Sequence, residues 1–475
     1  MPTNSYFPSE HELMSAKAGD LILKPGVYEV EGEQFQADYG TLVVLENRSK
    51  PVSKLIHLPI VWVHAPNATT SPPIFILGGG PGESNISTHS KWFYENHDLV
   101  MVGYRGVDGS VVLDCPGIFE GLTQMEYPLS GENQALFGRR LLSHYQRLID
   151  EGIDLDSYTL VDVVDDLEAT RDALGFHELN LWAISYGTHV AFVCCVRYPE
   201  RIHRCMMTSP GVPGRMGFWE ARVVDALLDH YAELWSHDSN LILRSPDLTG
   251  TLRNVIRSLP VQWRDIRVDP DKVKAMSFLN LYNTASAAQV FDAFVAAEEG
   301  DYSGLAFLSS VFDQALPGMF TWGDHFSKLY CSSDIYGKRE YEAVLDSPES
   351  ILGSPISMFN FVTARYGGWP IRRISDEYRS GPSQIETLLV NGNIDPVSPL
   401  EYTRDFLMPK LTNGRLVVLA EMGHTDICTM QPEAYGHLCE TFFLTGDVDD
   451  SEFNYSPMNF APQITFQDEA KNLLQ

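Results

Sequence analysis

Leu179-Asn180-Leu181-Trp182-Ala183-Ile184-Ser185-Tyr186-Gly187-Thr188 joins an apolar, strand-forming run to a serine, and a helical pattern begins immediately after it. A strand that turns directly into a helix leaves its corner residue strained and pushes that side chain into the open, the layout of a nucleophile elbow. The positions two before and two after the serine, Ala183 and Gly187, are small because the turn packs its backbone against the neighbouring strand. Ala183 stands where glycine is commonest and adds only a methyl group.

Outward from this corner, short apolar runs alternate with helical patterns. Gly40–Leu45, Leu58–His64, Ile74–Leu77, Asp98–Tyr104 and Cys205–Thr208 read as strands. Leu160, Val163, Val164, Leu167 and Leu174 recur at helical spacing between Tyr158 and Gly175, and Gly175 is a C-terminal stop. Strands alternating with helices imply a mainly parallel sheet covered on both faces. From about 212 to 375 the chain is helix-rich and carries Trp219, Trp235, Trp263, Trp322 and Trp369. Strand patterns resume at Glu386–Val390 and Arg415–Leu419. The expected division is a core made of 1–211 and 376–475, interrupted by a helical insertion over 212–375.

A serine hydroxyl is a weak nucleophile near neutral pH; it needs a base, and the base needs a partner that orients it. Asp395, in Asn393-Ile394-Asp395-Pro396, and His424, in Met422-Gly423-His424-Thr425, each follow a predicted strand and come in the chain order serine, acid, histidine. Taken singly, an aspartate before proline is often only a turn former, and one histidine among 14 is usually structural. Ser185, Asp395 and His424 are therefore expected to act as a set. His189, on the elbow helix, reads as a packing residue, and His64, His89 and His97 lack the strand-end context.

Gly78-Gly79-Gly80-Pro81-Gly82 follows the Ile74–Leu77 strand. It has neither the Lys-Ser/Thr of a phosphate loop nor dinucleotide-loop spacing. A glycine turn does suit an oxyanion hole, which needs backbone N–H groups close to developing negative charge with no side chain in the way. Gly79 is the expected donor, with Gly80 as the alternative, and the Tyr186 N–H is the second donor.

The 475 residues carry a net charge of −29, with 63 acidic against 34 basic side chains, which argues against nucleic acid and anionic membranes as partners. No apolar run reaches the roughly 20 residues of a membrane span, and the first residues lack the pattern of a secretory signal. The seven cysteines show no metal-ligand spacing. Cys194 and Cys195 fall in a predicted buried helix, so a reducing, cytoplasmic setting is expected. In that setting the Asn-x-Ser/Thr triplets at Asn47, Asn67 and Asn85 are coincidental. No metal or other cofactor is implied.

As a set, these motifs resemble the proline iminopeptidase and tripeptidyl aminopeptidase family of α/β-hydrolases. Gly78–Gly82 resembles the family's His-Gly-Gly-Pro-Gly motif. Val102-Gly103-Tyr104-Arg105-Gly106-Val107-Asp108-Gly109-Ser110 resembles its Asp-x-Arg-Gly-x-Gly-x-Ser segment, and Asp162–Gly187 resembles its helix, strand and elbow. Asp395 and His424 fall where its acid and base fall. The resemblance implies an α/β-hydrolase fold with a mainly parallel central sheet and an inserted helical cap domain. It also implies removal of amino-terminal residues from short peptides, with an acidic residue holding the free amine. Three positions depart from the pattern: Gly78 replaces histidine, Ala183 replaces glycine, and Ser333 stands where a glutamate is usual in the cap. The amine-binding carboxylate could be Glu83, Glu298, Glu299 or Asp334. An esterase, lactonase or amidase acting on a small non-peptide metabolite would use the same machinery, and a non-catalytic binding protein on this fold is the third alternative.

Overall fold

The computed structural model describes residues 7–67, 71–86, 95–121, 127–333, 335–336, 338–345 and 347–473. After a one-turn helix, α1 (Glu10–Leu13), come β1 (Leu21–Val30), β2 (Glu33–Leu45), β3 (Leu55–Val63), β4 (Ile74–Leu77) and β5 (Leu99–Val102). Then follow α2 (Gly131–Asp150), α3 (Leu160–Ala173), β6 (Leu179–Ile184), α4 (Tyr186–Arg197) and β7 (Ile202–Thr208). A two-residue hairpin, β8 (Gln262–Trp263) and β9 (Ile266–Arg267), lies among later helices, and β10 (Glu386–Gly392) and β11 (Gly414–Leu419) close the sheet.

Among the described residues the main sheet has nine strands, in the order β1-β2-β3-β5-β4-β6-β7-β10-β11. It is antiparallel from β1 to β5 and parallel from β5 to β11. The parallel strands are covered on both faces and are correspondingly rich in apolar residues; β4 and β5 are buried throughout. On one face Phe75, Leu77, Leu181 and Ala183 meet Val163, Val164, Val190 and Ala191 of α3 and α4. On the other, Ile76, Trp182 and Met206 meet Tyr435, Leu438 and Phe442, and Trp182 Nε1 donates to Tyr435 Oη at 2.9 Å. The α3 helix ends where expected, with Gly175 at φ 78°.

Between β7 and β10 the chain runs through helices from Ala221–Trp235 to Asp376–Ser380, and this inserted cap lies over the carboxyl ends of the parallel strands. Contacts cross the expected division near the C-terminus. Phe460 packs against Trp235 and Phe291 of the insertion, Phe466 stacks on Phe307, and Gln467 Nε2 donates to Asp292 Oδ2. The end of the 376–475 segment therefore packs against apolar side chains of the insertion helices, a match that only the folded arrangement reveals.

Candidate active site

Ser185 has φ 54° and ψ −122°, a strained conformation for a residue with a Cβ. Neighbouring contacts hold it there. Ser185 N donates to Thr208 O of β7, and the Ser185 carbonyl accepts from Thr188 N and Oγ1. Gly187 must be glycine because a Cβ would collide with the Leu77 carbonyl of β4. The strain at the corner is thus maintained by the strands on both sides of β6.

Asp395 and His424 reach this corner from the ends of β10 and β11. His424 Nε2 lies 2.9 Å from Ser185 Oγ, and its Nδ1 lies 3.0 and 2.8 Å from the two oxygens of Asp395. Because the carboxylate can only accept, Nδ1 carries the proton and Nε2 is left to accept from the serine hydroxyl. Asp395 Oδ1 also accepts from the Val397 and Ser398 amides, which fixes its orientation. Asp395 and His424 are both buried, and Tyr282 packs edge-on against the imidazole at 5.0 Å.

Several supports escaped sequence reasoning. Ser209, at φ 47°, donates through Oγ to the His424 carbonyl and accepts from Ser398 Oγ, so it ties the acid and base loops together. Asp426 Oδ2 accepts from Gly423 N at 2.8 Å and from Thr284 N at 2.9 Å, joining the histidine loop to the cap. Asp426→Ala strands both amides. It is expected to cost about 1–3 kcal/mol of stability and to lower turnover by loosening His424, checked by denaturant unfolding and steady-state kinetics on one preparation.

The glycine turn is built with equal care. Asn85 is 1% exposed; its Oδ1 accepts from Gly78 N, and its Nδ2 donates to the carbonyls of Ile76 and Val102. Asp108 accepts from Ser84 Oγ and from the Asn85 and Tyr104 amides. Asn85 thus has a structural task that its place in an Asn-x-Ser triplet does not disclose. The turn presents Gly79 and Gly80 to the same cavity as Ser185, with Tyr186 opening α4 beside them. Gly79, at φ 72°, and Gly80 have no side chain to obstruct a bound oxyanion.

That cavity, about 420 Å³, lies between the strand ends and the cap. Its walls are mostly apolar, with Trp219, Phe320, Trp322 and Phe359 among them. Glu83 is the acidic side chain on this wall among the described residues, and its carboxylate lies over the glycine turn: a Cβ on Gly80 would be 3.2 Å from Glu83 Oε1. Arg215 also lines the cavity but is paired with Glu220 at 2.9 Å.

Two expected carboxylates are not brought to the site. Glu298 and Glu299 are exposed at the end of the helix Thr284–Glu298, where Glu298 accepts from Thr251 Oγ1. Neither lines the cavity that holds Ser185. Asp334 and His89 lie outside the described residues. Ser333 is buried and donates to the Gly214 carbonyl at 2.8 Å. His189 borders the cavity, but burial pushes its pKa down to about 3, so it is a neutral packing group. His64 pairs with Asp38, and His97 is buried. All seven cysteines are free thiols. Among the described residues no group of three or more His, Cys, Asp or Glu is placed to hold a metal ion, and no helix is long and apolar enough to cross a membrane.

Comparison with known proteins gives a consistent picture. The family described as alpha/beta hydrolase fold matches residues 72–429. A tripeptidyl aminopeptidase of Streptomyces lividans is 26% identical over 459 residues, covering 88% of this chain and 83% of that protein. The serine protease Hip1 of Mycobacterium tuberculosis is 28% identical over 151 residues, 28% of each chain. Among solved structures, MGS-M2, an alpha/beta hydrolase enzyme from a Medee basin deep-sea metagenome library, is 14% identical with a TM-score of 0.38, covering 85% of this chain and 97% of that one.

Proposed function

The chain belongs to the alpha/beta hydrolase fold family, and from that membership we propose that it is a serine aminopeptidase releasing amino-terminal residues from short peptides. The observation that carries the chemistry is the position of His424 between Ser185 Oγ and Asp395. Ser185 Oγ attacks the scissile carbonyl while His424 Nε2 takes its proton. The oxyanion is held by the N–H groups of Gly79 and Tyr186, with Gly80 next to them. His424 then gives the proton to the leaving amine, and water repeats the sequence in reverse to free Ser185. Asp395 keeps Nδ1 protonated and stabilises the imidazolium.

The peptide reading is supported by the similarity to a tripeptidyl aminopeptidase and by Glu83 at the cavity wall. The Glu83 carboxylate receives the substrate's free ammonium group. Glu83→Gln is expected to lower kcat/KM for free-amine arylamides roughly 10- to 100-fold, the worth of a charge-assisted hydrogen bond. Turnover of their N-acetylated counterparts should hardly change. Comparing the two substrate sets on the unaltered enzyme tests the reading itself: equal or better turnover of blocked substrates would refute it.

Such a result would favour a second reading, hydrolysis of an uncharged ester, lactone or amide. The apolar cavity walls support it, as does Ser333 standing where the resembling family usually has a glutamate. The free thiols accord with a reducing, cytoplasmic setting.

A further inference from the structure

Among the described residues that line the cavity, Glu83 and Arg215 are the two permanently charged side chains, and the proposed function uses only the first. Arg215 is held by Glu220 at a single point: Nη1 donates to Glu220 Oε1 at 2.9 Å. Glu220 Oε2 is taken by Arg222 at 2.6 Å, so one carboxylate serves two guanidinium groups and one positive charge is left over. Glu401 also acts on Arg222, but both are exposed, where water screens them. Nε and Nη2 of Arg215 have no hydrogen-bond partner among the described residues, and neither is sealed from solvent.

That free edge is the one that grips carboxylates elsewhere in this molecule. Arg105 donates through Nε and Nη2 to Asp166, Arg171 to Glu168 and Arg197 to Asp165. Two parallel N–H groups match the two oxygens of a carboxylate. The guanidinium is also held in place: it lies over the rings of Phe406 at 4.2 Å and Tyr402 at 5.1 Å, and Tyr402 lines the cavity. The sheet order sets it across the nucleophile from Glu83. Glu83 follows β4 and Arg215 follows β7, the strands on either side of β6, which runs into Ser185. Two strand spacings are about 10 Å, the reach of roughly three extended residues.

We propose that Arg215 is a carboxylate subsite: its Nε and Nη2 hydrogens bind the carboxy-terminal carboxylate of a short peptide whose free ammonium group lies at Glu83. The substrate class is then a small zwitterionic peptide of about three residues, read at both charged ends. The mostly apolar walls of the cavity strengthen both pairings, because low-dielectric surroundings weaken screening. The proposal rests on the aminopeptidase reading for the ammonium end only; the carboxylate end needs no more than the cavity being the substrate chamber.

Four peptides separate the two ends: phenylalanyl-alanyl-alanine, its carboxamide, and the N-acetyl form of each, with products quantified by mass spectrometry on the full-length enzyme. The acid is expected to exceed the carboxamide in kcat/KM roughly 10- to 100-fold, the worth of a charge-assisted hydrogen bond. Arg215→Gln should bring that ratio to about one, and Arg215→Lys should restore part of it, since an ammonium keeps the charge and loses the two-pronged contact. Equal turnover of acid and carboxamide by the parent, or a preference that survives Arg215→Gln, would overturn the proposal. Should Arg215→Gln not fold, Arg215→Lys carries the test, and an undiminished acid preference in it is the overturning result. The ratio of free-amine to N-acetyl turnover is read separately. If it shows no preference while the acid preference stands and depends on Arg215, the aminopeptidase reading fails and the subsite remains. Where no peptide is turned over, calorimetry on the Ser185→Ala protein reads the same comparison as Kd. Tighter binding of the acid supports the subsite; equal binding, or none, overturns it.

Discussion

Ser185→Ala is expected to lower kcat roughly a millionfold, the size of effect seen when a nucleophile that works as a unit with its base is removed. The hydroxyl's partner is His424 Nε2, which borders the cavity, so water there can take the hydroxyl's place when it is removed. Circular dichroism and the unfolding midpoint should therefore match the parent, while labelling by a fluorophosphonate probe disappears. Near-parental turnover in the folded variant would refute the assignment. Ser185→Gly separates chemistry from strain. It should be equally inactive, yet it should unfold at a higher temperature, because glycine adopts φ 54° without the penalty that a Cβ imposes. A corner that is costly to fold and necessary for reaction is the expected trade between stability and activity.

Arg105→Leu is expected to destabilise the protein by about 3–5 kcal/mol, the cost of breaking a buried ion pair from one side. The guanidinium is fully buried. Nε and Nη2 donate to Asp166 at 2.6 and 2.7 Å, and Nη1 donates to the carbonyls of Glu46 and Ser157. Leucine would strand those carbonyls and leave Asp166 with Arg48 alone. Arg105→Lys should recover little, since an ammonium cannot reproduce the planar two-pronged contact.

The pH dependence has a definite sign. Burial alone would raise the Asp166 carboxyl, but Arg105 and Arg48 outweigh it and hold the group below the ordinary carboxylate range. The pair therefore contributes fully above the unperturbed aspartate value of about 4, and its contribution is lost as pH falls through the lower folded-state value. Denaturant midpoints measured from pH 7 downward should fall more steeply for the parent than for Arg105→Leu. Arg105 opens the loop containing Asp108, which accepts from Ser84 and Asn85 beside the glycine turn.

Much of the sheet, and the candidate residues Ser185, Asp395 and His424, were legible because their signals are local. The β4 strand is wholly apolar and β6 is apolar but for Asn180, and they run directly into Gly78 and Ser185. Ser185, Asp395 and His424 each stand just beyond a strand, so pattern and order alone nominate them. The α2 helix was harder to read. Its core stripe, Phe137, Leu141, Tyr145 and Leu148, is one side of an otherwise polar segment. The pairing of β1 with β2 was hidden by Pro25 and Gly26, which an edge strand tolerates because one side of its backbone needs no ladder bonds.

By itself, then, the sequence determined the alternating architecture, the strained serine and the chain order of the groups expected to activate it. These depend on apolar periodicity and on residues with special backbone preferences, all read within one turn or strand. Only the tertiary structure decided which polar groups meet. It buried Asn85 beneath the glycine turn, brought Glu83 to the cavity while turning Glu298 and Glu299 away, and set His325 against the Pro81 carbonyl. It also attached the C-terminal helix to the cap. The physical reason is common to all of these. A buried polar group takes whatever complementary atom the packing of distant elements brings within about 3 Å, and no pattern local to either partner encodes that encounter.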